Sequence, residues 1–420
     1  MPRRAQRVKP VQPVPLLWRT AVLLLAATSV CHGTWDFTTP GDPNRNWNLS
    51  LSSGVQYDDN WNSTEFHKQS GLRYTSDLIL RVKEVGQRSL LNGQYDFGIT
   101  YPNYNRQGGA NQSHNLNISE TYSFNPRLLV SLNDNFVDAV EPQLVQTVDK
   151  VPVTIEQVGN YLYNLVGVSA TYSLTPRLST SCQGTWDIWR YQQATAVTNN
   201  DHEDYTVTLS LLYSLDTRTV VGVNYQYTVD TYSFPGLDDS RNGEGNTAYL
   251  SLTHQFNPKL SVALNGGYTL RTSGNGSTST SPTGYGALIY NYGPKSSIAL
   301  VAAESLTTAN VGGTEGFSAQ ENTSFNLQVN HRFTARLHAI LEGSYIYSTY
   351  TLPLTGETLV PVTVTPSEQT FAGHIGIGYD FKVWLSARLD YNYYQLTSSF
   401  PALTGPFSRN VVDVSAVLTY

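Results

Sequence analysis

A short turn motif recurs along this chain, and its spacing limits the folds open to it. The motif reads Tyr122-Ser123-Phe124-Asn125-Pro126-Arg127-Leu128 and then Tyr172-Ser173-Leu174-Thr175-Pro176-Arg177-Leu178. It returns as Tyr213-Ser214-Leu215-Asp216-Thr217-Arg218-Thr219 and His254-Gln255-Phe256-Asn257-Pro258-Lys259-Leu260, with weaker copies around Gly293, Thr334 and Phe381. Asn, Asp or Thr followed by Pro is turn chemistry, because Pro presets φ and cannot continue a strand ladder. Positions Asn125, Thr175, Asp216, Asn257, Gly293, Thr334 and Phe381 lie 50, 41, 41, 36, 41 and 47 residues apart. A strand that crosses a bilayer takes about 9–11 residues, so each period holds two such strands, one tight turn and one longer connection. Short turns on one rim and long loops on the other are the pattern of a membrane barrel. A propeller would have short connections throughout.

The stretches between turns alternate with period two. Val207, Leu209, Leu211, Tyr213 and Leu215 interleave with Thr206, Thr208, Ser210 and Ser214. Trp47, Leu49, Leu51, Val55 and Tyr57 interleave with Asn48, Ser50, Ser52, Gly54 and Gln56. One face is apolar and aromatic; the other is small and polar with scattered charges, unlike a soluble exterior crowded with Lys and Glu. Strands are expected at 47–59, 70–82, 89–101, 112–124, 127–138, 158–174, 177–191, 202–215, 218–232, 245–256, 259–271, 283–292, 295–306, 319–333, 336–350, 367–381, 383–397 and 407–420. The fold class is therefore all-β: a transmembrane antiparallel up-and-down barrel of about 18 strands, or 16 if one pair is over-read. Barrels of that size enclose an aqueous channel.

Composition agrees. Charged residues make up 14% of the 420-residue chain, against roughly 25% in soluble globular proteins. Tyr is present 28 times, with Tyr122, Tyr172, Tyr213 and Tyr379 by the turns and Tyr57, Tyr101, Tyr191, Tyr268 and Tyr347 by the loops. That placement predicts aromatic girdles at both interfaces. Mean hydropathy is −0.29, which excludes a helical membrane protein.

The first residues read as a secretory signal. Arg3, Arg4, Arg7, Lys9 and Arg19 are basic and residues 21–30 predominantly apolar, within the roughly 7–15 of a signal h-region and too short to span a bilayer. Cleavage is expected after Gly33; the alternative is a lipoprotein site at Cys31, for which Val30 is a poor neighbour. The expected organisation is a signal peptide at 1–33, a short periplasmic segment at 34–46 and one barrel domain at 47–420. Losing 1–33 removes five of 26 cationic residues and none of the 32 acidic ones, leaving a net charge of −11, which excludes nucleic acid as a partner. Cys182 is then the single cysteine, so no internal disulfide forms.

The last ten residues, Val411 to Tyr420, alternate and end on an aromatic. This resembles the C-terminal signature of bacterial outer-membrane barrels and implies export to the outer membrane, recognition by the barrel assembly machinery and pairing with the strand at Trp47. Tyr57-Asp58-Asp59-Asn60 closes the first strand. The motif and the repeat layout resemble the β-barrel porin 2 group of outer-membrane proteins. That resemblance implies an outer-membrane barrel of poorly defined substrate, often linked with exopolysaccharide systems.

Several residues are candidates for function. Asp58, Asp59 and Asn60 offer oxygen ligands that suit Ca²⁺, or a polar turn in which Asx side chains bond their own backbone. Arg73, Asp77, Arg81, Asp96, Asp230, Arg388 and Asp390 fall on polar faces and are expected to line a pore. The connection 138–157 is the longest and resembles in position the inward-folded constriction loop of diffusion porins. It would bring Glu141, Asp149 and Lys150 to the lumen, its carboxylates facing Arg73, Arg81 and Arg388 in a transverse field. Glu120 and Asp134 break the apolar register of their strands, which points to a bulge or to a wall covered by a second copy of the chain.

A barrel hydrolase needs a nucleophile, a base and an orienting acid at the outer rim. His202, Glu203 and Asp204, with Asp238 and Asp239, are the groups available, and such groups are common in any loop. No phosphate-binding glycine loop or Cys/His cluster occurs. The expectation is a non-enzymatic channel without cofactor, embedded in outer-membrane lipid, that passes small hydrophilic solutes passively. A non-enzymatic component of polysaccharide export is the alternative.

Overall fold

At five of the seven copies of the turn motif a polar side chain folds back onto its own backbone. Asn125 Oδ1 accepts the Arg127 and Leu128 amides at 2.8 and 3.0 Å. Asn257 takes Lys259 and Leu260 at 2.8 and 3.0 Å, and Asp216 takes Arg218 and Thr219 at 2.6 and 2.8 Å. Thr175 and Thr334 do the same through their hydroxyls, at 3.0–3.3 Å and 2.9–3.1 Å. The residue after Asn or Thr at four of these turns is Pro or Ala; the accepting side chain satisfies the amides that the reversal strips from the ladder. At Asp216 these amides, the Arg218 one foremost, hold the carboxyl below the usual carboxylate range.

In the computed structural model these turns join β1 (Trp47–Asp58), β2 (Gly71–Val85), β3 (Ser89–Pro102), β4 (Asn111–Asn125), β5 (Leu128–Ala139), β6 (Val145–Val148), β7 (Val151–Thr154), β8 (Tyr161–Ser173), β9 (Leu178–Tyr191) and β10 (His202–Ser214). They continue with β11 (Thr219–Tyr232), β12 (Gly243–Asn257), β13 (Leu260–Ser273), β14 (Thr278–Gly293), β15 (Ser296–Thr307), β16 (Ala319–Arg332), β17 (Leu337–Thr351), β18 (Ser367–Lys382), β19 (Leu385–Ser398) and β20 (Phe407–Thr419). The structure describes residues 45–63, 65–102, 110–139, 145–148, 151–154, 160–191, 201–233, 242–274, 276–308, 319–351, 366–399 and 406–420. The expected signal peptide lies outside them. Every strand except β6 and β7 pairs antiparallel with its neighbours in one 18-stranded sheet, and β20 pairs back to β1. The sheet is a closed up-and-down barrel. The strand β14 begins earlier than its alternation suggested, because its first residues are Ser and Thr around Pro282.

The wall has two faces. Leu209, Val223 and Leu250 point outward with 51, 61 and 65% of their surface exposed. Their sequence neighbours Thr208, Asn224 and Ser251 point into the barrel. Repeated around the ring, the outward set makes a continuous apolar belt far larger than the few hundred Å² a soluble monomer tolerates. Tyr122, Tyr172, Tyr213 and Tyr379 are exposed on the turn side of that belt, and Tyr57, Tyr101 and Tyr268 on the loop side. Tyr191 departs from the girdle expectation: it faces inward and packs with Tyr161, Tyr163 and Trp189, because its position in β9 has the parity of the inner face.

The register also decides the case of Glu120 and Asp134. Ile118 pairs with Asp134 and Glu120 with Leu132, and the bulge in this ladder lies at Ser123/Asn125, beside the turn. No bulge separates the two carboxylates from their apolar neighbours, so both face outward with Leu116, Ile118 and Leu132. An outward carboxylate in lipid is destabilising to a degree set by its depth. Replacing Asp134 by Leu is expected to raise the unfolding free energy in lipid by about 1–2 kcal/mol, read from urea titrations of refolded protein in vesicles. A loss of stability on that substitution would show instead that another protein covers this wall.

Candidate functional site: a charged lumen closed by a latch

The barrel closes where β20 meets β1, and both ends of that seam are clasped. At the loop end, Asp58 is fully buried. Arg409 Nε donates to its two oxygens at 3.2 and 3.0 Å and Arg409 Nη2 to Oδ2 at 2.5 Å, while Arg73 Nη2 lies 3.5 Å from Oδ2. Asp59 accepts the Asn410 amide and the Asn410 side-chain amide, each at 2.6 Å. Asn60 Nδ2 donates to the Ser408 carbonyl at 2.8 Å, and the Asn60 amide donates to Asp58 Oδ1 at 3.0 Å. The Tyr57-Asp58-Asp59-Asn60 motif is thus a latch between the first strand and the last. A Ca²⁺ ion on Asp58 would have to displace two guanidinium groups. At the turn end, Tyr420 exchanges backbone hydrogen bonds with Leu49 at 2.8 and 3.2 Å. Its ring lies 5.7 Å from that of Trp47, and the Arg45 guanidinium sits 4.6 Å over it.

Arg73, Asp77, Arg81, Asp96, Asp230, Arg388 and Asp390 all occupy positions of the inner face. The loop carboxylates that the expected transverse field would set against these arginines lie outside the described residues. Each arginine has a partner on its own wall. Arg73 joins Asp58; Arg81 Nε donates to Gln94 at 2.9 Å, and Gln94 donates on to Asp96 at 2.8 and 3.2 Å. Arg388 Nη2 donates to Asp390 Oδ1 at 3.1 Å, which His374 Nε2 also meets at 2.9 Å. Asp390 stands directly across from Asp413 of β20. Gly376 leaves the space for this group, since a Cβ there would come within 2.6 Å of Asp390 Oδ1.

Across the lumen stands a second set. Asp187, Asp204 and Asp230 are successive cross-strand partners on β9, β10 and β11. Arg271 pairs with Asp230 by reaching over Gly243, whose missing side chain would lie 3.3 Å from Arg271 Nη2. Thr308 donates to Asp230 Oδ2 at 2.5 Å. Of the residues weighed for a hydrolase, His202 and Asp204 face inward, 3.7 Å apart. Glu203 faces outward and pairs with Arg190. The His202 ring is sandwiched between Trp189 and Tyr232 at 5.9 and 4.8 Å. Asp238 and Asp239 lie outside the described residues. Among the described residues no group of three or more His, Cys, Asp and Glu is placed to hold a metal ion.

The long connection between β5 and β8 carries the β6–β7 hairpin. The backbone of β7 comes within 8 Å of β15, β16 and β17. In an 18-strand ring those strands stand opposite the β5–β8 junction, so the hairpin reaches the far wall. There the inward Asn322, Ser324, Ile346 and Ser348 are almost wholly buried, with Ser348 Oγ donating to Asn322 Oδ1 at 2.7 Å. Glu141, Asp149 and Lys150 lie outside the described residues.

Sequence reasoning missed Asp187, Asp413, Arg271 and Arg409, and weighed Asp204 only for catalysis. Parity along each strand marks them as inward; their grouping depends on strand register, which no single strand reveals. The latch gives a direct test. Breaking a buried ion pair by removing one partner leaves the other charge uncompensated, so Arg409→Ala should destabilise the barrel by about 3 kcal/mol, read from the urea midpoint. An unchanged midpoint would show that closure does not depend on Asp58 and Arg409.

No family model matches the chain, and no curated protein matches it at a significant level; the resemblance to the β-barrel porin 2 group gains no support there. Among solved structures, the outer membrane protein OpdK of Pseudomonas aeruginosa is 12% identical, with 89% of this chain and 99% of that chain covered and a TM-score of 0.43. OccK2 (OpdF) of the same organism, solved with glucuronate, is 11% identical over 89% and 98%, with a TM-score of 0.44. The siderophore receptor PirA of P. aeruginosa is 10% identical over 90% and 81%, also at 0.44. With TM-scores below 0.5, none of these likenesses bears on what this chain carries or where it resides.

Proposed function

We propose that the chain spans an outer membrane as a water-filled barrel and passes small hydrophilic solutes passively. The observation that carries this reading is the closed wall with two solvents: an apolar belt outside, rimmed by aromatic rings, and a polar, charged lining inside. In lipid every backbone polar group must be bonded internally, and a closed barrel achieves this without an edge. Lipid is then the partner of the outer face. An interior walled by eighteen strands is too wide for side chains alone to fill.

The β6–β7 hairpin supports a constricted channel over an open one, since its backbone crosses to the β15–β17 wall. Width at that level is set by the hairpin and charge by the lining, and passage is sorted by size and sign without chemistry. The expected result in planar bilayers is discrete single-channel steps from refolded protein. Deleting residues 142–154 should enlarge those steps by about twofold or more, as a crossing segment is removed from the narrowest level. Steps of unchanged size would show that the hairpin lies clear of the conducting path.

A further inference from the structure

We infer that this pore prefers cations to anions, and that the row Asp187–Asp204–Asp230 is a main source of the preference. The inference rests on the channel reading above and names the class of solute that such a channel favours.

Acidic groups outnumber the guanidinium groups on two facing walls. On one, three carboxylates stand side by side on β9, β10 and β11, each the cross-strand partner of the next. Among the described residues one guanidinium, Arg271, answers them, and it pairs with Asp230. Asp204 keeps Oδ1 enclosed with no hydrogen bond from the described residues. Its near neighbour His202 is held 3.7 Å away from the other oxygen.

The opposite wall repeats the ratio. β10 and β19 are nine strands apart in a ring of eighteen, so they face each other across the diameter. There Arg388 is the guanidinium among Asp77, Asp390 and Asp413: it bonds Asp390 at 3.1 Å and acts electrostatically on the other two. Nearer the seam, Arg73 and Arg409 share Asp58, and Arg81 offsets Asp96 through Gln94. Among these groups one positive charge is left over, less than the acidic excess of the two walls.

A lumen lined with an excess of one sign, inside low-dielectric walls, focuses the field and concentrates the opposite ion. Rings of carboxylates are how cation channels select. No single ion-binding site is implied; the preference belongs to the summed field of both walls. It extends from K⁺ to small organic cations and works against carboxylates, phosphates and other anions.

The test is the reversal potential of refolded full-length protein in planar bilayers under a KCl gradient. The expected permeability ratio of K⁺ to Cl⁻ is roughly tenfold at about 0.1 M salt, falling as added salt screens the lining. Asp204→Asn and Asp187→Asn should each lower that ratio by roughly twofold or more, with heat-modifiable gel mobility confirming that each variant has closed. Arg388→Gln should raise it. A wild-type ratio of one or less overturns the inference, as does a ratio that neither Asn variant moves. Bilayers that stay silent overturn the channel reading itself, so the two failures are told apart.

Discussion

Closure is the constraint on which the rest of this structure depends. Eighteen strands satisfy their backbone groups only if β1 and β20 also pair; otherwise two edges remain with unbonded amides and carbonyls. The chain places a fully buried, charge-paired carboxylate at that seam. Asp58, fully buried, receives two guanidinium groups, and Asp59 and Asn60 bind the backbone of the facing strand. At the other end the Trp47 and Tyr420 rings and the Arg45 guanidinium form a second clasp. Between the two clasps the seam register runs without interruption from Ser50↔Thr419 to Asp58↔Val411.

Closure in turn divides every strand into an outside and an inside. The turn motif keeps that division in phase. Each Asn, Asp or Thr caps two amides of its own turn, and the register shifts at Asn125, Asn257, Gly293 and Lys382 sit beside turns rather than within the wall. The parity of each strand therefore survives from rim to rim. Leu211 remains outside and Ser210 inside because nothing between Ser214 and His202 disturbs the ladder. The same unbroken parity carries Glu120 and Asp134 to the outer face, where a bulge would have hidden them.

Much of this was legible in the sequence. Period-two alternation and Asn-Pro or Thr-Pro turns locate all eighteen barrel strands, and the polar parity of Arg73, Asp77, Arg81, Asp96, Asp230, Arg388 and Asp390 puts each on the inner face. What alternation cannot supply is register between strands. Asp187, Asp204 and Asp230 form a row only because β9, β10 and β11 align at those residues. Arg409 meets Asp58 across the whole length of the chain, and Tyr57-Asp58-Asp59-Asn60, read locally, looks like a turn or a cation loop. The β6–β7 hairpin escaped strand assignment because its strands are four residues each and separated from the turn repeat.

The central claim is that one wall meets two solvents, and a cysteine scan of β10 tests it directly. With Cys182, an exposed outward residue, replaced by Ser, single cysteines are placed in turn from Thr206 to Leu211 in protein reconstituted into vesicles. Positions 206, 208 and 210 should react with a small water-soluble maleimide, and 207, 209 and 211 should react only with a lipid-soluble one. Equal reactivity of the two sets would contradict the account, because the strand would then face a single solvent on both sides.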